Sequence, residues 1–416
     1  ENNHICSPIT TFTVLKSQKP NQGLGDKKAV AFGFWLLAFL SLLKRLNLST
    51  STLIIYQMNL KHRYCLFVLA IFTLATAVKA QETYSPPKLS NPDSWSIILV
   101  PDTQTYAKFE RNQGTLETMT AWISENIDVL NIKMVLCTGD LVEQNELLVP
   151  DKINGNMPSR DQWRAVSHAF ERLDGKVPYI LAAGNHDFGY KNVETRKSNY
   201  SQYFPVHRNL LNAKALRAAG KNIDGLPSAE NAYYELVSPQ QRKFLFLNLE
   251  FAPRDTILQW ANNEISQEIY KDHTVVMLTH SYLNAQNEHI EKENYPIEDA
   301  NYGKAIWEKL VAPSKNVQMV FSGHIGSPDN FKAHTAFRVD RNAAGKKVNQ
   351  ITFNAQAIGG GWHGNGGDGW LRIMEFLPDG KTVISTTFSP YFAISPTTQK
   401  MAYQRDDYNN FSFQMD

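Results

Sequence analysis

Five short apolar runs punctuate the chain, and each is followed at once by polar residues of metal-binding types. The runs are Ile97-Ile98-Leu99-Val100, Met134-Val135-Leu136-Cys137, Tyr179-Ile180-Leu181-Ala182, Val275-Val276-Met277-Leu278 and Val317-Gln318-Met319-Val320-Phe321. Short, continuous apolar stretches of this kind read as strands buried on both faces. Between them the apolar period lengthens to that of a helix. Leu116, Met119, Trp122, Ile123 and Ile127 recur within 114–130, and Trp163, Val166, Phe170 and Leu173 within 160–173. Further helices are expected over 256–269 and 302–310. Strand–helix alternation predicts an α/β domain with a largely parallel sheet. After residue 324 the pattern changes. The segments 336–339 and 348–354 flank a turn at Ala344-Gly345, and 371–377 and 382–387 flank Pro378-Asp379-Gly380. Both read as hairpins. Residues 192–229 are weakly patterned and read as an insertion over the surface or beside the site.

The chemistry lies where the runs end. They deliver Pro101-Asp102-Thr103-Gln104, Gly139-Asp140, Gly184-Asn185-His186-Asp187, Thr279-His280 and Gly323-His324 in turn. In open α/β sheets ligands bind beyond the carboxyl ends of the strands. Oxygen and nitrogen donors gathered there suit a hard or borderline divalent cation. There is no Gly-x-Ser-x-Gly elbow and no phosphate-binding Gly-x-x-x-x-Gly-Lys-Ser/Thr loop to offer a competing chemistry.

This set resembles the calcineurin-like metallophosphoesterases, and looks closest to an exported bacterial branch whose first motif reads Pro-Asp-Thr-Gln. Gln356 and the stretch Gly367-Asp368-Gly369-Trp370-Leu371-Arg372 also resemble that branch. The resemblance implies a four-layer αββα sandwich: two mixed β-sheets face to face, flanked by helices, with the C-terminal hairpins adding strands and walling the pocket. It implies hydrolysis of a phosphomonoester or phosphodiester with two divalent ions (Mn, Zn, Fe, Mg or Ca). Asp140 would bridge them, Asn185, His280 and His324 would complete one site, and Asp102 with Gln104 would serve the other. His186 would protonate the leaving group, with Asp187 holding its second ring nitrogen. The chain departs from the common pattern twice. Gln104 stands where a histidine is usual, and Gly326 stands where Gly-His-x-His would place its last imidazole. One site is therefore short of donors, and His363 and Asp368 in the glycine-rich stretch 359–369 are candidates to fill it. Trp362 in that stretch can stack on a sugar or base, unless the stretch is only a tight connection. Tyr282 and Asn284 are candidate pocket residues. Glu143 and Asn145 are candidates to orient ligands, or else simple loop residues. His168, His273, His289 and His334 are expected to have no catalytic role, and His207 has no readable placement. A protein keeping one metal to bind a phosphate or glycan, and a metal-dependent hydrolase of a non-phosphate ester, remain the alternatives.

Composition narrows this further. The formal net charge is only +2 over 416 residues, and no long basic run argues for nucleic acid. The resemblance implies a phosphate-ester small molecule, or a sugar or nucleotide, as the partner. From Met58 the chain reads as a secretory signal peptide. Lys61 and Arg63 precede the apolar stretch Cys65–Ala77, and Val78-Lys79-Ala80 fits a cleavage site. The expected division is 1–57 upstream translation or disorder, 58–80 signal peptide, 81–95 linker, 96–330 catalytic core and 331–416 strands completing the same domain. The mature protein is expected to be exported, periplasmic or secreted, with no stable membrane span. Ala29–Leu43 is apolar but shorter than the ~20 residues a spanning helix needs. Of three cysteines only Cys137 falls in the expected domain. It sits in a strand and reads as a core residue.

Overall fold

The structure, a computed structural model, describes residues 84–416. The expected signal peptide, the segment before it and the first residues of the expected linker lie outside the described residues. Thr83–Asp416 forms one compact unit, and among the described residues no helix is long and apolar enough to cross a membrane.

Two sheets make up the centre. The first contains β1 (Trp95–Val100), β2 (Ile132–Cys137), β3 (Tyr179–Leu181), β11 (Leu371–Phe376), β12 (Thr382–Phe388) and β13 (Asn410–Gln414), in the spatial order β13-β12-β11-β1-β2-β3. The second runs β4-β5-β6-β7-β8-β10-β9. Its members are β4 (Leu216–Lys221), β5 (Pro227–Val237), β6 (Lys243–Asn248), β7 (Thr274–Leu278), β8 (Val317–Ser322), β9 (Thr335–Arg341) and β10 (Lys347–Phe353). Parallel pairs β6–β7, β7–β8 and β8–β10 sit at the middle of the second sheet with antiparallel strands on both sides, whereas in the first sheet the parallel pairs β1–β2 and β2–β3 run to one edge and the antiparallel strands lie beyond β1.

Strand periodicity explains the layering. Successive side chains of a strand point to opposite faces. On β1, Trp95, Ile97 and Leu99 face the second sheet and meet Phe244, Phe246, Val276, Met319 and Phe353. Ile98 and Val100 face outward, where α1 (Glu110–Glu125) supplies Leu116, Met119 and Ile123, and α2 (Ser159–Glu171) supplies Trp163, Val166 and Phe170. The outer face of the second sheet buries Leu245, Leu247, Val275 and Met277 against Ile257, Leu258, Ala261 and Ile265 of α3 (Asp255–Ile265). The result is the four-layer αββα sandwich with mixed sheets. Trp95 ties the two sheets together, stacked on Phe376 at 4.2 Å and edge-on to Phe244 at 5.4 Å. Truncating one of these buried aromatics costs about 3–5 kcal/mol.

Several boundaries differ from the periodic reading. The first helix begins at Glu110 rather than 114 and stops at Glu125, where the Asn126 side chain caps the Trp122 carbonyl at 2.8 Å. The helix expected over 302–310 is a short α segment, Gly303–Ile306, running into a π turn, Trp307–Val311. The larger correction concerns 192–229, which is no mere surface insertion. It contributes all of β4 and the start of β5, whose buried Ser228, Glu230 and Asn231 carry no apolar alternation to reveal them. The expected linker is also tied down: Ser90 donates to Glu375 at 2.7 Å and Tyr84 packs on Tyr403.

Candidate metal centre

The carboxyl ends of β1, β2, β3, β7 and β8 converge, and they bring together eight of the residues singled out from the sequence: Asp102, Gln104, Asp140, Asn185, His186, Asp187, His280 and His324. Asp140 stands at their centre. Its φ of +45° follows Gly139 at +110°, a left-handed conformation uncommon outside glycine that aspartate tolerates better than most residues. Asp140 Oδ1 accepts from the His186 amide at 3.0 Å, and Oδ2 accepts from Gln104 Nε2 at 3.0 Å. The next two amides, Leu141 and Val142, donate to the Asp187 carboxylate at 3.0 Å each, as Gly184 N does at 2.8 Å. Gly184 must be glycine, because a Cβ there would lie 2.1 Å from Asp140 Oδ1. Gly323 is under the same constraint, 2.1 Å from Asp102 Oδ1.

Asp187 therefore has a different task from the one expected. Its carboxylate braces the Asp140 turn through three backbone amides. The His186 ring is oriented instead by the Glu143 carbonyl, which lies 2.7 Å from Nδ1. A neutral ring donating there leaves Nε2 free toward the cavity. Burial lowers the His186 pKa, but the charges of Asp140 and Glu143 outweigh it and hold the pKa above the ordinary value.

Asn185, His280 and His324 gather beside Asp140. His280 is fully buried, and its Nδ1 faces the Thr138 carbonyl at 2.8 Å. The other nitrogen, Nε2, lies 3.1 Å from Asp140 Oδ2, 3.2 Å from Asn185 Oδ1 and 3.1 Å from His324 Nδ1. The second nitrogen of His324 meets Glu293 Oε1 at 2.5 Å, and Ser281 Oγ holds the other Glu293 oxygen at 3.0 Å. Each neutral imidazole thus donates outward and turns a bare nitrogen inward. Four acceptor atoms face one another and repel unless a cation lies among them. Their spacing suits one: ligands about 2.1 Å from a metal are roughly 3.0–3.4 Å apart along the edges of an octahedron or tetrahedron. With a proton as the only available cation, burial works against the His280 charge, yet Asp140 and Asp102 raise its pKa to about 10. The residues fit a divalent ion. Asp140, His280 and His324 are also the one carboxylate–imidazole cluster of metal-binding geometry among the described residues.

The Asp102 side is built differently. Asp102 Oδ1 accepts from Thr138 Oγ1 at 2.6 Å, and Oδ2 accepts from Asn354 Nδ2 at 2.6 Å and the His324 amide at 2.9 Å. Burial, helped by the Asp140 charge, pushes its pKa up to about 6. Gln104 turns its amide hydrogens to Asp140, and its Oε1 is buried with no hydrogen-bond partner. Gly326 cannot have been a histidine without rearrangement, since a Cβ there would meet the buried His334 ring at 2.4 Å.

Gln104, Asp140, Glu143, Asn185, His186 and His324 line a cavity of about 280 Å³ together with Lys108, Tyr295, Gln356, Trp362 and His363. Lys108 is nearly buried, supplies the only ammonium in that wall, and bonds Glu143 at 3.0 Å. Trp362 and His363 thus reach the cavity from the glycine-rich stretch. Asp368 does not; its Oδ1 accepts from Asn365 at 2.5 Å and closes the loop on itself. Tyr282 is a correction: it is 0% exposed within the outer core of the second sheet and does not line this cavity. Asn145 is structural, joining the Gly189 carbonyl to the Asn199 amide. Lys108, Thr138, Glu293 and Asn354 were not found from the sequence. Asn354 carried a usable signal, because it follows β10, which runs parallel to β8 and so ends at the same edge. Lys108 and Glu293 lie in segments without any pattern.

The model of one family, calcineurin-like phosphoesterase, matches residues 96–328. An uncharacterized protein of Bacillus subtilis (strain 168), YvnB, is 28% identical over 350 residues, which is 82% of this chain and 23% of that protein. The chain therefore spans about a quarter of that relative's length. Among solved structures, PhoD has a TM-score of 0.38 at 12% identity, covering 80% of this chain and 72% of that one. GAP50, described as the anchor in the inner membrane complex of Plasmodium, has a TM-score of 0.38 at 10% identity, with 75% and 88% covered.

Proposed function

The chain belongs to the calcineurin-like phosphoesterase family, and from that premise we propose that it hydrolyses a phosphate ester by attack of water, with His186 as the general acid. The observation that carries this reading is the inward-facing set of Asp140 Oδ2, Asn185 Oδ1, His280 Nε2 and His324 Nδ1 beside a histidine whose Nε2 is free. A divalent ion held by that set supplies Lewis acidity, acidifying water and neutralising charge on phosphoryl oxygens. The protein's own residues do the rest. The Glu143 carbonyl holds Nδ1–H, so in the imidazolium that the charges of Asp140 and Glu143 favour the second proton sits on Nε2 and passes to the departing alkoxide, leaving the neutral ring. Lys108, held by Glu143, places its ammonium where phosphoryl oxygens gather charge. Asp187 keeps the turn under Asp140 from relaxing.

The two expected metal positions are unequal in this proposal. The complete set takes the tighter ion. Asp102 and Gln104 offer only oxygen, and the unpartnered Gln104 Oε1 is the acceptor that a weaker second ion would satisfy. Metal titration with anomalous diffraction tests this: one strong site at low metal and a second only at high metal are expected. Turnover of p-nitrophenyl phosphate or bis-p-nitrophenyl phosphate with Mn²⁺, Zn²⁺ or Fe²⁺ tests the reaction, and no turnover with any metal refutes it. Export remains part of the proposal on the strength of residues 58–80, and N-terminal sequencing of the secreted protein checks it.

A further inference from the structure

A second and much larger groove opens on the far side of His324. Its volume is about 1010 Å³, and it shares His324 and Trp362 with the metal-side cavity. His186 lines the smaller cavity and not the groove. Gly326 lines the groove beside His324. Resting on the phosphoesterase reading, we infer that the substrate is a phosphodiester whose retained arm, the ester group left on phosphorus, lies in this groove and bears a sugar.

The position of the acid decides which arm goes where. The departing oxygen must come within hydrogen-bond reach of His186 Nε2, which puts the leaving alcohol on the His186 side. The other ester oxygen then points away from His186, and the groove beyond His324 and Trp362 is large enough to receive what it carries. A phosphomonoester would leave the groove empty.

The walls specify the chemistry of that arm. Trp362 is 39% exposed at the junction, and Trp307, stacked on His289 at 5.2 Å, stands farther in. Flat indole faces pack against the apolar faces of sugar and base rings. Glu288, Glu291, Glu293 and Glu308 outnumber Lys292, Lys304 and Arg338. Lys304 is bound to Glu291 at 2.6 Å, Glu293 to His324 and Arg338 to Asp340, so Glu288 and Glu308 stand against Lys292. Carboxylates accept hydrogen bonds from hydroxyl groups and repel further phosphates. The arm is thus neutral and polyhydroxylated, a glycosyl or single nucleosidyl group, and not a stretch of polynucleotide.

Three substrates with the same leaving group isolate the retained arm: p-nitrophenyl phosphate, methyl p-nitrophenyl phosphate and thymidine 5′-(p-nitrophenyl phosphate). The expected kcat/KM for the thymidyl diester exceeds that for the methyl diester by at least tenfold. The ratio should fall severalfold toward one in Trp307→Ala, which removes a wall, and in Ala285→Trp, which fills the groove. The two changes act on packing in opposite directions, so a folding defect in one leaves the other informative, and the wild-type ratio needs neither. Equal kcat/KM for the two diesters, or a ratio unmoved in both variants, overturns the inference and leaves the phosphoesterase reading standing. A monoester turned over faster than both diesters does the same. No turnover of any of the three overturns both.

Discussion

The bond between Glu293 and His324 makes a quantitative prediction about metal affinity. Glu293 Oε1 lies 2.5 Å from His324 Nε2, with its other oxygen fixed by Ser281. Burial opposes its charge, but the bonds from His324 and Ser281 outweigh it and keep its pKa below the usual range. The carboxylate therefore fixes the tautomer that turns His324 Nδ1 inward and raises its basicity. Two independent routes give the size of the effect. A hydrogen bond to a charged group contributes about 1.5–3 kcal/mol net. Loss of a carboxylate behind a metal-binding histidine typically costs 10–100-fold in affinity, which is about 1.4–2.8 kcal/mol. Glu293→Ala should thus weaken Zn²⁺ or Mn²⁺ binding by one to two orders of magnitude. Glu293→Gln, which keeps an acceptor without the charge, should fall between it and the wild type. Isothermal titration of the chelated protein, or competition with a chromophoric chelator, reads this directly. The metal-free melting temperature of each variant separates ligand orientation from general damage. Wild-type affinity in Glu293→Ala would refute the reasoning, since His324 would then need no such partner to present Nδ1.

Other expectations follow from the same geometry. His186→Ala should retain metal affinity and lose about 10²–10⁴ in kcat on an ester with a poor leaving group, with a smaller loss on p-nitrophenyl esters; equal losses on both would remove the acid role. Gly184→Ala places a methyl on Asp140 Oδ1 and should abolish tight metal binding as measured by titration, even in protein that still gives a folded circular dichroism spectrum. Chelation should lower the melting temperature reversibly, because an ion present at about a hundred times its Kd adds about 2.7 kcal/mol. His334 gives a pH test away from the ligands. Burial pushes its pKa down to about 4 from the ordinary 6.5, so the folded state resists a proton that the unfolded chain takes up. Its stabilising contribution is complete above pH 6.5 and is lost as pH falls toward 4. Denaturant titrations of His334→Gln should show a flatter pH dependence in that window.

The ligand positions were readable because each follows a strand buried on both faces, and such strands are continuous apolar runs that announce their own ends. Asp140, Asn185, His280 and His324 fell out of that rule. What surrounds them did not. Glu293 acts from an irregular segment where no period exists, and Lys108 works by reaching back to Glu143 across 35 positions of sequence. The role of Asp187 was misread for a related reason. Adjacency to His186 in the chain said nothing about direction, and the turn sends the carboxylate to the amides of 141, 142 and 184. Likewise Tyr282, two residues after a ligand, points into the core. The hairpin β4–β5 escaped because polar Ser228, Glu230 and Asn231 are interleaved among its buried positions, with Asn231 bonded to Glu250 at 2.8 Å, and this breaks the apolar alternation.

The strand order has a bearing on how this protein can be taken apart. The stretch that matches the family model ends at residue 328, yet β1 is flanked by β11 and β8 by β10, both from beyond that point. Excising 96–328 would turn two interior strands into open edges, one in each sheet, with bare amides and carbonyls ready to pair with other chains. Those are the strands that end in Asp102 and His324. The recognisable segment is thus a parts list for the centre and not a separable module. A fragment cut at its boundary should aggregate before its metal affinity could be measured.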